Sequence, residues 1–305
     1  MSVYSNNRLV KERPNDAWFK IFQFIKPNST VLDIGCSSGM LGAALKKEKK
    51  VTVTGIDIDE SDVKLAKKNL DKALVVDAEQ SDFSNLGKFD YVIMSDVVEH
   101  LVDPVSMLKH IKKLLNPGGV FIFSIPNMAN VTTRMELLKG RFIYKDFGIL
   151  DRTHLHFYDV KEVNRVLNDA GLVVEKMDCT LRVIPENLLK NELEEVGMKL
   201  TPKLKKVLER PDATIYQFIG VAKPGKTPKK MPLETTTQLD IISVEIEGIR
   251  NGYEAQLKER DETIKQLEQK ARELQHELDI IHGSRSWKIL VSAQNVKKRV
   301  YPPKK

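Results

Sequence analysis

Short apolar segments alternate with amphipathic helical patterns from about residue 16 to residue 175. This alternation is typical of a parallel β-sheet whose strands are joined by crossover helices. Each apolar segment is followed by a turn signal or by the start of a helix, and five strands are predicted on that basis. They cover residues 30–34, 51–57, 74–77, 91–95 and 120–124. The sequence therefore predicts an α/β fold with a parallel centre.

Two further apolar runs, at residues 172–177 and 214–222, follow these five. No crossover helix of the usual kind joins them, and a polar helical insertion near residues 186–209 separates them instead. Parallel neighbours require a crossover, whereas antiparallel neighbours do not. We therefore expect an antiparallel pair at one edge of a seven-stranded, Rossmann-like sheet with helices on both faces.

The composition changes after Ala222, where the sequence reads Lys-Pro-Gly-Lys-Thr-Pro-Lys-Lys. Prolines, a glycine and like charges cannot pack a core, so this stretch is typical of an extended linker. We predict a globular domain over residues 1–222, a linker over 223–238, a coiled coil over 239–283 and a basic tail over 284–305.

The predicted coiled coil carries apolar residues at alternating steps of three and four, which is the spacing of a coiled-coil seam. The seam consists of Leu239, Ile242, Ile246, Ile249, Tyr253, Leu257, Ile264, Leu267, Ala271, Leu274, Leu278 and Ile281. Tyr253 and Leu257 are four residues apart where three are expected, and Arg260 occupies a seam position, so the register has one stutter and one polar break. We expect self-association or partner docking through this helix. The alternative is an amphipathic helix that lies on its own domain.

The net charge of +7 comes from the basic tail, which holds seven of the 49 basic residues and no acidic residue. The rest of the chain has 42 basic and 42 acidic residues, so it lacks the excess expected for binding nucleic acid. In the tail, Trp287 and the apolar residues 289–291 stand beside the basic residues 297–299. This combination predicts contact with an anionic membrane surface, and a solvated basic end is the alternative.

The two cysteines, Cys36 and Cys179, are far apart and lack the spacing of metal ligands, so we predict neither a disulfide nor a metal site. Residues 1–10 lack the apolar core of a signal peptide, and no apolar run is long enough to span a bilayer. We expect a cytoplasmic protein that contacts the inner face of the membrane peripherally through its tail.

A glycine-rich turn, Val-Leu-Asp-Ile-Gly-Cys-Ser-Ser-Gly at residues 31–39, ends the first predicted strand and enters a helix. Gly35 and Gly39, with Cys36 between them, allow the backbone to pass close to a ligand. Such turns also serve NAD and phosphate sites, so Asp33 is the discriminating residue. Its carboxylate would repel a pyrophosphate, whereas S-adenosylmethionine (SAM) carries an ammonium and a sulfonium cation. The turn therefore predicts a SAM site.

Polar residues also follow the next predicted strands. Asp57, followed by Ile58, ends the second strand, where a carboxylate accepts hydrogen bonds from ribose hydroxyls in doubly wound nucleotide sites. Asp77, followed by Ala78, ends the third strand and is expected to accept the adenine amino group. Ser95 ends the fourth strand, where the backbone is expected to face the methionine moiety. All these strand ends meet in one crevice. A helix cap is the alternative role for any single aspartate.

Together with Ser-Asp-Val-Val-Glu-His-Leu at residues 95–101 and Leu-Asn-Pro-Gly-Gly at 115–119, these segments resemble the successive motifs of class I SAM-dependent methyltransferases. The resemblance covers residues 16–222. Glu-His-Leu at 99–101 is similar to the branch that contains the ubiquinone-biosynthesis O-methyltransferases. Ser37 departs from the family pattern, because many members have a glycine at that position.

Three other segments are similar to proteins of glycan pathways. Residues 138–144 and 150–158 resemble bacterial and archaeal methyltransferases found alongside glycosyltransferases. Ser-Arg-Ser-Trp-Lys at 284–288 resembles segments that end coiled coils in surface-polysaccharide glycosyltransferases and their partners. The resemblance implies an acceptor that belongs to cell-surface polysaccharide synthesis.

Methyl transfer to oxygen requires a base for the proton of the acceptor, and imidazole suits this role because its pKa lies near neutrality. The candidates are His100, His154 and His156. His154 resembles the histidine of a Thr-His segment in the ubiquinone-type branch, and we expect Asp151 to orient its ring. We expect His100 to line the SAM pocket and His156 to face away from His154 in an extended segment.

Two other enzyme classes fit part of the pattern. Residues 35–39 also match the hydrolase motif Gly-x-Ser-x-Gly with Ser37 as nucleophile, but a hydrolase needs strands and an oxyanion loop before its serine. Only about 30 residues with one predicted helix, residues 16–25, precede it here. A nicotinamide-dependent sugar enzyme would fit Asp57, but Asp33 and the missing glycine at position 37 argue against it.

The sequence thus predicts a SAM-dependent O-methyltransferase that acts on a saccharide or lipid-linked glycan. One alternative is an O- or N-methyltransferase of the quinone type with another small-molecule acceptor. A second alternative is a scaffold that has kept the fold but acts through its coiled coil.

Overall fold

The structure is a computed structural model that describes residues 15–81, 84–226, 236–283 and 289. The chain divides into two compact units, residues 1–248 and 249–305. The first unit contains one mixed sheet and the helices around it. The linker residues 227–235 and the predicted basic tail, apart from Ile289, lie outside the described residues.

The sheet has seven strands in the order β3-β2-β1-β4-β5-β7-β6. Its strands are β1 (Thr30–Ile34), β2 (Thr52–Asp57), β3 (Lys72–Val75), β4 (Phe89–Ser95), β5 (Leu115–Pro126), β6 (Leu172–Leu181) and β7 (Ile215–Pro224). β1 to β5 pair in parallel, whereas β7 is antiparallel to both β5 and β6. The strand order reverses between β1 and β4, which places a crevice at the carboxyl ends of these two strands. The predicted Rossmann-like fold is confirmed.

Helices precede the first strand, connect successive strands and follow the last strand. They are α1 (Ala17–Phe24), α2 (Met40–Lys49), α3 (Glu60–Asn69), α4 (Pro104–Leu114), α5 (Val131–Leu138), α6 (Val160–Asp169), α7 (Glu186–Glu194), α8 (Pro202–Leu208), α9 (Pro211–Thr214) and α10 (Thr236–Gly283). Aspartate side chains cap several of them, since Asp59, Asp103 and Asp159 accept backbone N–H groups at the starts of α3, α4 and α6. Such a cap typically contributes about 1 kcal/mol.

The core of the sheet is buried on both faces. Val92 and Ile93 of β4 and Ile122 and Phe123 of β5 are each completely inaccessible to solvent. Continuous burial of this kind is characteristic of parallel strands covered by helices. Each such side chain stabilises the fold by about 1.5–3 kcal/mol relative to an exposed position.

The strands differ from their predicted bounds mainly at their ends. β3 ends at Val75, two residues before Asp77, and β5 begins at Leu115, so Leu-Asn-Pro-Gly-Gly lies inside the strand. The antiparallel edge was predicted, and β7 lies between β5 and β6 within it. The insertion between β6 and β7 forms α7 and α8, as its polar helical pattern predicts.

α10 is one continuous helix of 48 residues. Nothing is described for the side chains of residues 236–251, 254, 281 and 283. Among the other seam residues, Leu267 is 63% exposed and Leu274 is 52% exposed. In the described part of the chain, none of the helices is both long and apolar enough to cross a membrane.

Candidate functional site

The glycine-rich turn lies between β1 and α2 at the point where the strand order reverses. Gly35 has a φ of +75° and Gly39 a φ of +77°, a conformation that side chains with a Cβ rarely adopt. A Cβ added to Gly35 would lie 2.4 Å from Cγ2 of Val97, and one added to Gly39 would lie 3.2 Å from Cα of Ala66. The sequence attributed these glycines to a ligand. The structure gives them a second reason, which is close packing against neighbouring elements.

Ser37 occupies the position at which many methyltransferases have a glycine. Its φ of +45° lies in the left-handed region, which explains the family preference. Its backbone N–H donates to Oδ2 of Asp57 at 2.7 Å, and its hydroxyl donates to Oδ2 of Asp62 at 2.7 Å. These bonds hold the turn, and they give Ser37 a structural role instead of that of a hydrolase nucleophile.

Asp57 ends β2 beside this turn. Its Oδ2 accepts the Ser37 N–H, and its Oδ1 accepts the N–H of Asp59 at 3.0 Å. Asp59, and not Asp57, caps α3. A carboxylate has about four lone-pair positions, so the carboxylate of Asp57 can still accept two further hydrogen bonds. Ile58 follows it with 69% of its surface exposed, an apolar side chain at the mouth of the crevice.

Asp33 lies at the opposite side of the turn and is 3% exposed. Burial, together with the neighbouring charge of Asp57, raises the pKa of the Asp33 carboxyl to about 7. Cys36 is also buried, and burial followed by the Asp33 charge raises the pKa of its thiol. A Cβ added to Gly55 would lie 2.7 Å from its Sγ, so the Cys36 side chain belongs to the core. Only its backbone remains available for the cofactor role expected from the sequence.

The ends of β3 and β4 complete the crevice. Asp77 and Ala78 are half-buried, and Oδ1 of Asp77 accepts the N–H of Glu79 at 2.9 Å. The Ser95 and Ser124 hydroxyl oxygens lie 3.1 Å apart. The predicted SAM residues that follow β1, β2, β3 and β4 therefore lie at the same edge of the sheet.

A short 3-10 turn, Val98–His100, follows Val97 after the end of β4. Nδ1 of His100 lies 3.2 Å from the Thr153 carbonyl oxygen and 3.1 Å from its hydroxyl. That hydroxyl donates to Oδ1 of Asp151 at 2.6 Å. The expected pairing of Asp151 with the His154 ring is therefore wrong, because Thr153 takes the carboxylate and connects it to His100.

His154 is held by a different group. Nδ1 of His154 lies 3.0 Å from the Ile149 carbonyl oxygen, which can only accept, so Nδ1 carries the proton. In the neutral ring the lone pair is therefore on Nε2. Burial, followed by the charge of His100, lowers the pKa of His154. Both effects favour a neutral imidazole that is able to accept a proton.

Glu99 was missed by sequence reasoning, which used it only as part of a family motif. It is 1% exposed, and neither carboxylate oxygen has a hydrogen-bond partner among the described residues. Burial, followed by the Asp96 charge, raises the pKa of Glu99 well above its ordinary value. Its Oε1 lies 4.0 Å from Nε2 of His154. A buried polar side chain without a partner is costly, which makes Glu99 a candidate functional residue.

The residues around the small space beside Glu99 include His154, His156 and Tyr158. The expectation that His156 faces away from His154 is therefore wrong, because this segment is irregular and does not alternate as a strand would. The Tyr158 hydroxyl is also buried without a partner among the described residues. Donor atoms of Glu99, His100 and His154 lie within 4.8 Å of one another, which is close enough to share an ion. The absence of a metal stays a prediction.

Comparison with known proteins decides the family. Residues 7–177 match the family model described as a methyltransferase domain, which is more than half of the chain. This chain belongs to the methyltransferase family. The enzyme is 30% identical over 154 residues to the ubiquinone biosynthesis O-methyltransferase of Thiobacillus denitrificans, covering 48% of this chain and 66% of that protein. It is 36% identical over 169 residues to the ubiquinone biosynthesis O-methyltransferase of Coxiella burnetii, covering 54% of this chain and 70% of that protein.

Solved structures similar to this methyltransferase include SAM-dependent methyltransferases. The one from Methanosarcina mazei is 18% identical with a TM-score of 0.46, covering 68% of this chain and 98% of the other. The one from Archaeoglobus fulgidus is 17% identical with a TM-score of 0.46, covering 67% and 90%.

The crevice fits SAM, the cofactor that the sequence predicts for this methyltransferase. A bound cation stabilises the ionised form of a buried carboxyl such as Asp33, whose pKa is about 7 in the absence of a ligand. Asp33 is therefore suited to pair with the ammonium group of SAM. The free acceptor positions of Asp57 suit the ribose hydroxyls, and exposed Ile58 suits an apolar ring face. Asp77 and the backbone at Ser95 provide the remaining polar groups.

Proposed function

We propose that this methyltransferase transfers the methyl group of SAM to a hydroxyl oxygen of a small-molecule acceptor. The observation that carries the proposal is the imidazole of His154, whose Nε2 has a free lone pair beside the buried Glu99. The turn that contains Glu99 begins directly after Val97, and Val97 packs against Gly35 of the cofactor turn. The cofactor turn and the candidate base are thus neighbours in the fold.

When bound, SAM supplies a sulfonium methyl group that is transferred by an in-line displacement. The rigid strand ends of β1, β2 and β4 hold the two reactants in register, and such positioning supplies up to ~7–11 kcal/mol in well-oriented systems. Asp33 and Asp57 bind the cofactor, while the histidine cluster lies on the acceptor side of the crevice. The protein therefore contributes mainly through position and proton removal.

The proton of the acceptor hydroxyl passes to Nε2 of His154, and the imidazolium that results lies 4.0 Å from Oε1 of Glu99, whose ionised form it favours and by which its charge is then stabilised. The His100 ring lies 4.7 Å from that of His154, edge to face. Because Thr153 connects His100 to Asp151, His100 is the second candidate for the same role. A base in either place accelerates transfer by about 10²–10⁴-fold.

An acceptor of the quinone type is favoured over a saccharide. The curated relatives are named for ubiquinone biosynthesis and for O-methylation, which supports oxygen as the acceptor atom. The saccharide acceptor and the link to glycosyltransferases, expected from the sequence, gain no support from these relatives. The scaffold alternative conflicts with a cofactor crevice that keeps its acidic residues.

Turnover of SAM with a catechol or other phenolic acceptor tests the proposal. His154→Ala should lower kcat by roughly 10²–10⁴-fold and leave SAM affinity unchanged, since the base acts in the chemical step alone. His100→Ala in the same assay distinguishes the two histidines. Turnover that is lost with EDTA and restored by a divalent cation would assign the cluster to a metal and overturn the role of His154 as base.

A further inference from the structure

A cavity of about 430 Å³ lies beside α5, between residues 145–150 and the start of α7. Its walls include Met135, Phe147, Ile149, Ile184 and Leu188. Small-molecule sites typically measure about 300–1,000 Å³ and combine apolar walls with a few polar groups. This cavity has the size and the lining of such a site.

The cavity adjoins the candidate base. Ile149 lines both this cavity and the small space beside Glu99, and its carbonyl oxygen holds Nδ1 of His154 at 3.0 Å. A molecule in the cavity is therefore separated from the imidazole by one residue. Tyr216 also lines the cavity, and it lies at the start of β7 next to the carboxyl end of β5.

Arg182 is the most distinctive polar group of the cavity. Its guanidinium carbon lies 4.2 Å from the centroid of the Tyr216 ring, a cation–π contact that fixes the end of a long side chain. No carboxylate pairs with Arg182 within the described ranges. A fixed guanidinium that lacks a carboxylate partner matches the planar geometry of a carboxylate or phosphate ligand.

The other charged groups of the cavity are also consistent with an anionic ligand. Lys145 lines it without an ion pair to any described residue, and Glu136 lines it as the competing carboxylate. Glu192 also lines it but already pairs with Lys139, which forms a second bond to Glu195 at 2.9 Å. Among the described residues, the cavity lining thus holds two basic groups without an ion pair, Arg182 and Lys145, and one carboxylate without an ion pair, Glu136.

We propose that this cavity binds the body of the methyl acceptor, and that the acceptor is an amphipathic molecule with one anionic group that pairs with Arg182. The anionic group is a carboxylate or a phosphate, and the apolar part lies against Phe147 and Leu188. This inference rests on the proposed function, because it assigns the cavity to the acceptor of the same reaction. It adds a negative charge to the chemical description of the acceptor.

Dye binding to the full-length protein without SAM tests the charge preference. The anionic probe is anilinonaphthalene sulfonate, and the uncharged probe of similar shape is phenylnaphthylamine. Arg182→Gln should weaken binding of the sulfonate about tenfold, because a charge-assisted contact is lost, and should leave binding of the uncharged dye within about twofold. Arg165→Gln, which removes an equal charge from α6, should change neither affinity.

A second pair of variants tests the position of the site. Leu188→Trp fills part of the cavity and should weaken the binding of both dyes. Leu137→Trp, at a similarly exposed position outside the cavity lining, should weaken the binding of neither dye. Displacement of the sulfonate by phenyl phosphate or by benzoate then identifies the anionic group. Unchanged dye affinities in Arg182→Gln and Leu188→Trp would overturn the assignment.

Calorimetric titration with SAM separates this inference from the proposed function. All four variants should bind SAM as the unmodified protein does, because none of the substitutions touches the cofactor crevice. A protein that binds the dyes as expected but transfers no methyl group would contradict the proposed function alone. A protein that transfers methyl groups, but whose affinity for the sulfonate dye is unchanged by Arg182→Gln, would contradict the cavity assignment alone.

Discussion

Nε2 of His154 lies 4.0 Å from Oε1 of Glu99, and neither oxygen of this glutamate has a hydrogen-bond partner among the described residues. The two side chains come from different parts of the chain, one from the turn after β4 and the other from the segment before α6. Burial favours the protonated form of this glutamate, whereas an imidazolium on His154 favours its carboxylate, so the protonation states of the two groups are coupled.

Glu99→Gln should lower kcat and raise thermal stability at the same time. The amide cannot stabilise the imidazolium, so we expect a loss of about tenfold to a hundredfold in kcat. Stability rises because an unpaired buried carboxylate is removed. Steady-state kinetics and thermal unfolding at pH 8 measure both effects.

Glu162→Gln is the matched control, since Glu162 pairs with Arg165 on the exposed surface of α6. It should change neither quantity appreciably. In the His154→Ala background, Glu99→Gln should reduce kcat little further, because the glutamate acts through the histidine. Full activity of Glu99→Gln in the otherwise unmodified protein would contradict this role.

Asp57→Ala should weaken SAM binding more than it disturbs folding. The ribose hydroxyls lose their acceptor, and the turn loses the bond from the Ser37 N–H, whereas the end of a strand tolerates a small side chain. Calorimetric titration together with a thermal melt gives the two numbers. A folded variant with unchanged SAM affinity would refute the ribose assignment.

The pH dependence of stability should reveal the buried Asp33. Its pKa is about 7 in the folded chain, against an ordinary value of 3.8 for an aspartate carboxyl. Between these values the native state retains a proton that the unfolded state has released, so stability falls as the pH rises through this window. Asp33→Asn removes the penalty, and we expect its ligand-free melting temperature to exceed that of the unmodified protein at pH 8 by about 3 °C or more.

Below about pH 4 the two proteins should melt together, because both side chains are then uncharged. Asp169→Asn on the surface of α6 is the control and should show no such pH-dependent gain. SAM should stabilise the unmodified protein more than Asp33→Asn, since the bound cation compensates the carboxylate. If Asp33→Asn is no more stable than the unmodified protein at pH 8, burial does not destabilise the ionised Asp33 carboxylate as we infer.

Removal of residues 227–305 should leave a monomer that still binds SAM. The cut is placed after Lys226 because β7 extends to Pro224 and the Gly225 N–H donates to Gly171. We expect the full chain to self-associate through the seam of α10 and to sediment with anionic vesicles, less so at raised salt, because charges are screened over ~10 Å at 0.1 M. Light scattering and vesicle sedimentation measure these outcomes.

A full-length variant with Leu267→Glu and Leu274→Glu separates the helix from the tail. It keeps every basic residue of the tail but places charges in the seam, so it should be monomeric and should bind vesicles more weakly than the unmodified protein. If the unmodified full-length protein is a monomer and does not bind anionic vesicles, both predictions, self-association and membrane contact, are wrong.

Local pattern was sufficient to predict the strands that carry the cofactor crevice. β1 was predicted to the residue, and Asp57 was placed at the end of β2, because apolar runs followed by turn residues report a buried strand directly. The antiparallel edge also followed, since the chain between β6 and β7 lacked a crossover helix.

The acceptor side was not predictable in the same way. Asp151 was assigned to His154 by proximity in sequence, but the Ile149 carbonyl holds that ring, and Thr153 directs Asp151 to His100. These contacts depend on where an irregular segment lies against the end of β4, more than 50 residues earlier in the chain. Periodicity carries no information about such a contact, nor about the cavity that Arg182 lines.

The direction of β7 determines where this domain is attached to the rest of the chain. Tyr216 and Gln217, at the start of β7, lie at the edge of the sheet that carries the candidate site, and Gln217 donates to Oδ1 of Asp96 at 2.8 Å. Pro224, at its end, pairs with Leu172 at the opposite edge. The last strand therefore ends at the edge of the sheet opposite to the crevice. A ligand of the crevice would therefore bind at the edge of the sheet opposite to the end of β7.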